Sequence, residues 1–262
     1  MADGNFIPVN DISMYVEEAG SGEAVVLLHG SMGSSAVWQP YLPLFAPYGR
    51  VIVPDLRDHG RTTFTLEFDP VQAPEQYAAD VIGLLDALEI TQATLCGWSF
   101  GGNLALDVAR HYPERVRALI VGGVTLQMTD TARATLQATG LAGPGKVNVD
   151  RAQQTVPHLL ASWRQTHTQT ADHWLRLLER LSHLMLNPPP LSSEATRSIE
   201  TPTLIVWGDR DQFHPAEKAV KLYRWLPHAQ LAIIPNADHF VTRTHQEGFG
   251  RVVTNFLAAL AQ

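Results

Sequence analysis

The stretch CGWSFGGN, residues 96–103, decides how the rest of the chain is read. Three glycines and one serine fill eight positions, with Gly97, Ser99 and Gly101 alternating around two aromatic side chains. Glycine at this density disfavours a helix interior, and the lack of β-branched residues disfavours a strand. ATLC before it is a short apolar run, and NLALDVARHY after it has helical character. A Gly-x-Ser-x-Gly turn joining a strand to a helix is tight enough to force its serine into strained backbone angles. Glycines two before and two after keep the neighbouring backbone from colliding, and the hydroxyl projects at the edge of the sheet. Ser99 is therefore a candidate nucleophile.

Outward from this turn, short apolar runs recur: AVVLLHG (24–30), VIVPDL (51–56), RALIVGG (117–123), TLIVWGD (203–209) and QLAIIPNA (230–237). They are near-continuous rather than alternating, as in parallel strands buried on both faces. Helical patterns lie between them, at Tyr77–Leu88, Asn103–Tyr112 and Glu217–Leu226, the last two ending near Pro113 and Pro227. This alternation predicts an α/β fold, a mostly parallel doubly wound sheet with helices on both faces. NFIPVND and ISMYVEEAG add an N-terminal antiparallel hairpin at the sheet edge. Residues 125–199 break the rhythm, with no convincing strand, a glycine-rich stretch at Thr139–Val147 and the amphipathic HWLRLLERLSHLML (173–186) before Pro188. The organisation expected is a core of residues 1–124 and 200–262, with 125–199 a helical insertion over the strands' C-terminal ends, where open α/β sheets bind ligands.

The 262 residues, 45% hydrophobic and 17% charged, describe an ordinary globular chain able to bury a large core. A net charge of −7 without a basic cluster argues against nucleic acid as a partner. Cys96 is the single cysteine, so no intrachain disulfide can form, and it reads as a small core hydrophobe. The opening MADGNFIPVND has no basic n-region or apolar run, and nothing approaches a membrane-spanning length. A cytoplasmic protein with no membrane partner is expected. His158, His167, His173 and His183 lack zinc-ligand spacing, with His173 expected at an exposed helix position. No nucleotide-binding glycine motif occurs, so neither metal nor cofactor is expected.

A serine needs a base, and the base an orienting acid. After TLIVW comes Gly208-Asp-Arg-Asp211, and after QLAIIP comes Asn236-Ala-Asp-His239-Phe240. Together with Gly-x-Ser-x-Gly, these loops resemble those of the α/β-hydrolase superfamily. The resemblance implies Asp211 as acid and His239 as base, with Asp209, the competing acid, shaping the turn and Asp238 pointing away. His29-Gly-Ser-Met-Gly33 matches the family's HGxxG loop. It implies an oxyanion hole from the backbone N–H groups of Ser31 and Phe100, with His29 structural. Asp55-Leu-Arg-Asp58-His59-Gly60-Arg61-Thr62 is similar to the family's D-x-R-G-H-G-x-S stretch, with Asp58 in place of the usual first glycine and His59 structural. Residues 125–199 fall in the family's variable cap position.

The resemblance implies a cofactor-independent serine hydrolase acting on a small-molecule ester or lactone. Perhydrolysis, carbon–carbon bond hydrolysis or another base-catalysed reaction with the same residues is the alternative, and a non-catalytic ligand-binding protein the remaining one. Relatives carrying aspartate at the Ser99 position, dehalogenases and epoxide hydrolases, are disfavoured. Trp98, Trp163, Trp174, Leu177 and Leu181, with Met185, are the candidates for an apolar substrate pocket. Arg164, Arg176 and Arg180 leave an anionic substrate open, and the sequence does not choose between monomer and homo-oligomer.

Overall fold

The computed structural model of the chain describes residues 4–261. Eight strands form one sheet: β1 (Asn5–Val9), β2 (Ile12–Ala19), β3 (Ala24–Leu28), β4 (Arg50–Pro54), β5 (Ala93–Trp98), β6 (Val116–Gly122), β9 (Thr203–Gly208) and β10 (Ala229–Ile234). Their spatial order is β1-β2-β4-β3-β5-β6-β9-β10. β1 and β2 make the antiparallel edge hairpin, and β2 joins β4 antiparallel. From β4 to β10 every pairing is parallel. This is the α/β-hydrolase architecture. The chain turns back at β3, so the loops after β3 and β5 open side by side at the strands' C-terminal ends, where such sheets build their sites.

Burial on both faces explains the continuous apolar runs. Val26 and Leu28 of β3 join one hydrophobic cluster, with Leu95, Leu84 and Leu104. Val25 and Leu27 point the other way, into a cluster with Trp38, Tyr41, Phe45 and Phe249. Because successive side chains alternate faces, a strand covered on both sides needs an apolar residue at every position. Each such side chain contributes roughly 1.5–3 kcal/mol by leaving water. The helices Ala73–Ala87 and Phe100–His111 cover the first face, and Gln246–Leu260 covers the second.

Between β6 and β9 the chain forms helices at Asp130–Ala138, Val149–Thr155, Pro157–Thr166, His173–Leu186 and Ser193–Arg197. It also forms a short hairpin, β7 (Leu141–Gly143) with β8 (Lys146–Val147), in the glycine-rich stretch expected to hold no strand. Gly145 at φ +70 supplies the left-handed residue the turn needs, which is why a run this short pairs at all. Among the described residues, no helix is long and apolar enough to cross a membrane.

Candidate active site

Ser99 occupies the turn between β5 and the helix Phe100–His111, at φ 55 and ψ −117. Such angles cost a non-glycine residue about 1–3 kcal/mol and persist only where the surroundings enforce them. A Cβ on Gly97 would lie 2.1 Å from the Gly101 carbonyl oxygen, and one on Gly101 would lie 2.2 Å from the Leu28 carbonyl oxygen. Both positions admit only glycine because backbone passes where a side chain would begin.

Two loops bring partners to the hydroxyl. His239 follows β10, and its Nε2 lies 3.2 Å from Ser99 Oγ. Its Nδ1 lies 2.8 Å from Asp211 Oδ2, in the loop after β9. The other carboxylate oxygen, Oδ1, accepts from the N–H groups of Phe213 at 2.9 Å and His214 at 2.8 Å. Burial by itself would raise the Asp211 carboxyl, but the His239 hydrogen bond and the backbone donors outweigh it and hold the group below its ordinary value. The ionised carboxylate accepts from Nδ1–H, leaving Nε2 free to accept the Ser99 proton. Asp209 is spent differently: its Oδ1 accepts from the Ala237 N–H at 3.1 Å and ties the two loops together. Asp238 caps its own turn, accepting from the Phe240 N–H at 2.9 Å.

The imidazole is held as well as paired. Trp98 Nε1 donates to the His239 carbonyl at 2.8 Å. The rings of Phe213 and His214 lie 5.1 and 5.4 Å from it, both near edge-on. Gly123, at φ +60, passes behind the ring so closely that a Cβ would sit 2.9 Å from His239 Cε1.

The turn Gly30–Gly33 closes with the Gly33 N–H donating to the Gly30 carbonyl at 3.0 Å and with Met32 at φ 57. Among the described residues, the Ser31 N–H has no hydrogen-bond acceptor. Phe100 is the first residue of its helix, where N–H groups have no intrahelical acceptor. Ser31, Ser99 and Phe100 line the same cavity, and a Cβ on Gly30 would stand 3.3 Å from Ser99 Cβ.

That cavity holds about 430 Å³ and is walled largely by apolar side chains, among them Met128, Leu136, Leu159, Trp163, Met185 and Leu191. Of the expected pocket residues, Trp98 and Trp163 line it. Trp174, Leu177 and Leu181 do not. Leu177 and Leu181 are fully buried in the hydrophobic core, and Trp174 lies beneath the Arg164 guanidinium, 4.8 Å from it. An amphipathic helix reveals which face points inward, not which part of that face ends over a void. His173 is a second correction. It is fully buried, with Nε2 donating to the Asp58 carbonyl at 2.7 Å. Asp58, the unusual residue of its loop, adopts φ 66 and pairs with Arg180 Nη1 at 2.9 Å. An acidic side chain where glycine was expected therefore fastens residues 125–199 to the core. Thr125 and His214 were missed and also line the cavity, 3.3 Å apart at Oγ1 and Nε2. His214 stands three residues after Asp211, and burial pushes it down to about 3. Among the described residues, no group of three or more His, Cys, Asp or Glu side chains is placed to hold a metal ion.

The strand–turn–helix serine, the two carboxylate- and imidazole-bearing loops and the glycine turn are those of a hydrolase, and the sequence pattern of the alpha/beta hydrolase family matches residues 25–252. The chain belongs to that family. It is 29% identical to a 2-hydroxy-6-oxo-6-phenylhexa-2,4-dienoate hydrolase of Burkholderia cepacia, over 97% of this chain and 96% of the relative. It is 30% identical to a 2-hydroxymuconate semialdehyde hydrolase of Pseudomonas putida, over 93% of this chain and 90% of the relative. Its fold matches that of a meta-cleavage product hydrolase from Pseudomonas fluorescens IP01 with a TM-score of 0.80, at 23% identity and 98% coverage of both chains.

Proposed function

We propose that the chain is a cofactor-independent serine hydrolase that cleaves a carboxylic ester or lactone through an acyl-enzyme, with residues 125–199 as its cap. The observation carrying this reading is the unbroken series from Asp211 through His239 to Ser99, at 2.8 and 3.2 Å, on the wall of the cavity. Ser99 Oγ attacks the carbonyl carbon while its proton passes to His239 Nε2. Asp211 keeps the imidazole in the required tautomer and stabilises its charged form. The Ser31 and Phe100 amides receive the oxyanion. Collapse expels the alkoxide, which takes the proton from His239. Water, deprotonated by the same imidazole, then attacks the acyl carbon, and collapse breaks the bond to Ser99 Oγ, which takes the proton back from His239 as the acid leaves.

A neutral substrate suits the walls. The Asp and Arg side chains lining the cavity are Asp107, Arg110 and Arg243; Arg110 and Arg243 are exposed and Asp107 partly so. Carbon–carbon bond hydrolysis is the second reading, favoured by relatives that are hydrolases of 2-hydroxy-6-oxo dienoates. Such substrates carry a carboxylate, for which Arg243 at the rim is the candidate partner.

Ser99→Ala should lower turnover of p-nitrophenyl esters on the order of a million-fold without lowering the melting temperature. Turnover retained in that variant would remove Ser99 from the chemistry. Comparing kcat/KM for an ester and lactone panel with that for 2-hydroxy-6-oxo-6-phenylhexa-2,4-dienoate separates the two readings.

A further inference from the structure

Part of the seam between residues 125–199 and the core is polar, around the loop between the helices Pro157–Thr166 and His173–Leu186. Gln169 donates to the Gly60 carbonyl at 3.1 Å and accepts from the Phe64 N–H at 3.1 Å. His173 and Arg180 hold Asp58 from the same side. Within this seam lies His167, buried, reaching from the insert to the glycine turn beside Ser99.

Its hydrogen bonds fix its tautomer. The Gly60 N–H, which can only donate, lies 2.9 Å from His167 Nδ1. Nδ1 is therefore the acceptor and the proton sits on Nε2, which donates to the Met32 carbonyl at 3.1 Å. His29 makes the complementary arrangement from the core, accepting from the Leu56 N–H at Nε2 (3.0 Å) and reaching the Gly30 carbonyl with Nδ1 at 2.9 Å. Two imidazoles thus grip the carbonyls on either side of Ser31, one from the residue after β3 and one from the insert. Met32 between them carries the left-handed angle that its surroundings must enforce.

We propose that His167 is a positioning residue for the oxyanion-binding turn, holding the Met32 carbonyl so that the Ser31 amide stays aimed at the reacting carbonyl. The proposal rests on the hydrolytic reading above. His167 touches no reacting atom and acts through the turn. Burial supports this role, pushing the imidazole down to about 4 and keeping it neutral where the enzyme would work. A second proton would set an N–H at Nδ1 against the Gly60 N–H and break the grip. Because Gln169, His173 and Arg180 anchor the seam independently, the turn can loosen while the insert stays docked.

Two amide variants separate positioning from packing. His167→Asn keeps an acceptor near the Nδ1 position and loses the donor to Met32, whereas His167→Gln keeps a donor near the Nε2 position. His167→Asn should lower kcat for a p-nitrophenyl ester by about 10- to 100-fold, leave KM within about twofold, and weaken inhibition by an alkyl trifluoromethyl ketone by a similar factor, since the ketone's adduct with Ser99 bears the oxyanion. His167→Gln should stay within about threefold of the parent enzyme on all three measures. Parent-like kcat and ketone affinity in His167→Asn would overturn the proposal, as would equal losses in both variants that follow their melting temperatures. Loss of the hydrolytic reading looks different: the parent enzyme would form no ketone adduct and Ser99→Ala would keep its turnover. If His167→Asn does not fold, nitrogen NMR of the parent enzyme decides. A neutral Nε2–H tautomer whose shift moves on adduct formation supports the role; an Nδ1–H tautomer or an unmoved signal refutes it.

Discussion

Two arrangements of buried imidazole in this molecule differ in what their nitrogens face. His239 has a buried carboxylate on one nitrogen and a serine hydroxyl beside a cavity on the other. His29, His59, His167 and His173 form a second group, with successive ring centroids 4.8, 5.7 and 5.3 Å apart. Their bonds go to backbone: His29 to Gly30 and Leu56, His59 to Arg57, His167 to Met32 and Gly60, His173 to Asp58 and Gln169. Imidazole with a carboxylate behind it and an open side in front can cycle a proton. Imidazole surrounded by peptide groups can only hold a shape. Residue type is shared, so partner and exposure decide the role.

The sharpest way to break this contrast is at the carboxylate. Asp211→Asn keeps the volume but favours the wrong His239 tautomer, so kcat should fall by about 10⁴-fold, read as ester turnover at matched melting temperature. A loss under about tenfold would mean that His239 needs no orienting acid, which the contrast forbids. The ion pair beside the second group should answer in stability instead. Arg180→Met strands the Asp58 carboxylate in the seam and should cost about 3–5 kcal/mol in a denaturant titration, with kcat in the surviving folded enzyme much less affected.

Acid titration sharpens the same point more gently. Burial first of all lowers His59, His167 and His173, so below their ordinary value of 6.5 the unfolded chain takes up protons that the folded chain refuses. Stability is full above 6.5 and falls as pH drops from there toward about 4, the value for His167. Each such histidine contributes a slope of about 1.4 kcal/mol per pH unit. His167→Gln should flatten the melting-temperature profile in that window by one histidine's share, and an unchanged profile would count against a buried neutral imidazole. The smallest effect is expected at Trp174→Ala. This residue packs under Arg164 away from the cavity, so KM should stay within about twofold for a bulky ester, while Trp163→Ala should raise it several-fold.

Much of this was legible along the chain. The apolar runs placed the strands to within a few residues, because burial on both faces writes itself as continuous hydrophobicity. Gly97, Ser99 and Gly101 located the strained turn because only glycine survives such close backbone approach. Loop position after β9 and β10 left Asp209 and Asp211 both open, and the resemblance to the family's loops is what implied Asp211 and His239. What escaped was whatever depended on contacts between distant segments. His173 reads as one residue of an amphipathic helix, and its burial follows from the Asp58 carbonyl 115 positions away. Asp58 reads as a departure from a glycine pattern until Arg180 is beside it. Leu177 and Leu181 look the same as Met185 by periodicity, yet only Met185 reaches the cavity.

By itself the sequence determined the elements and their chemistry: local propensity, alternation and the steric demands of glycine act within a few residues and can be read there. Only the tertiary structure decided which imidazole meets the serine hydroxyl, which acid neutralises a buried arginine and where the void lies. Those outcomes follow from desolvation and from the direction of hydrogen bonds. Both are properties of the packed surroundings that bring Met32 and His167 together across 135 positions of chain.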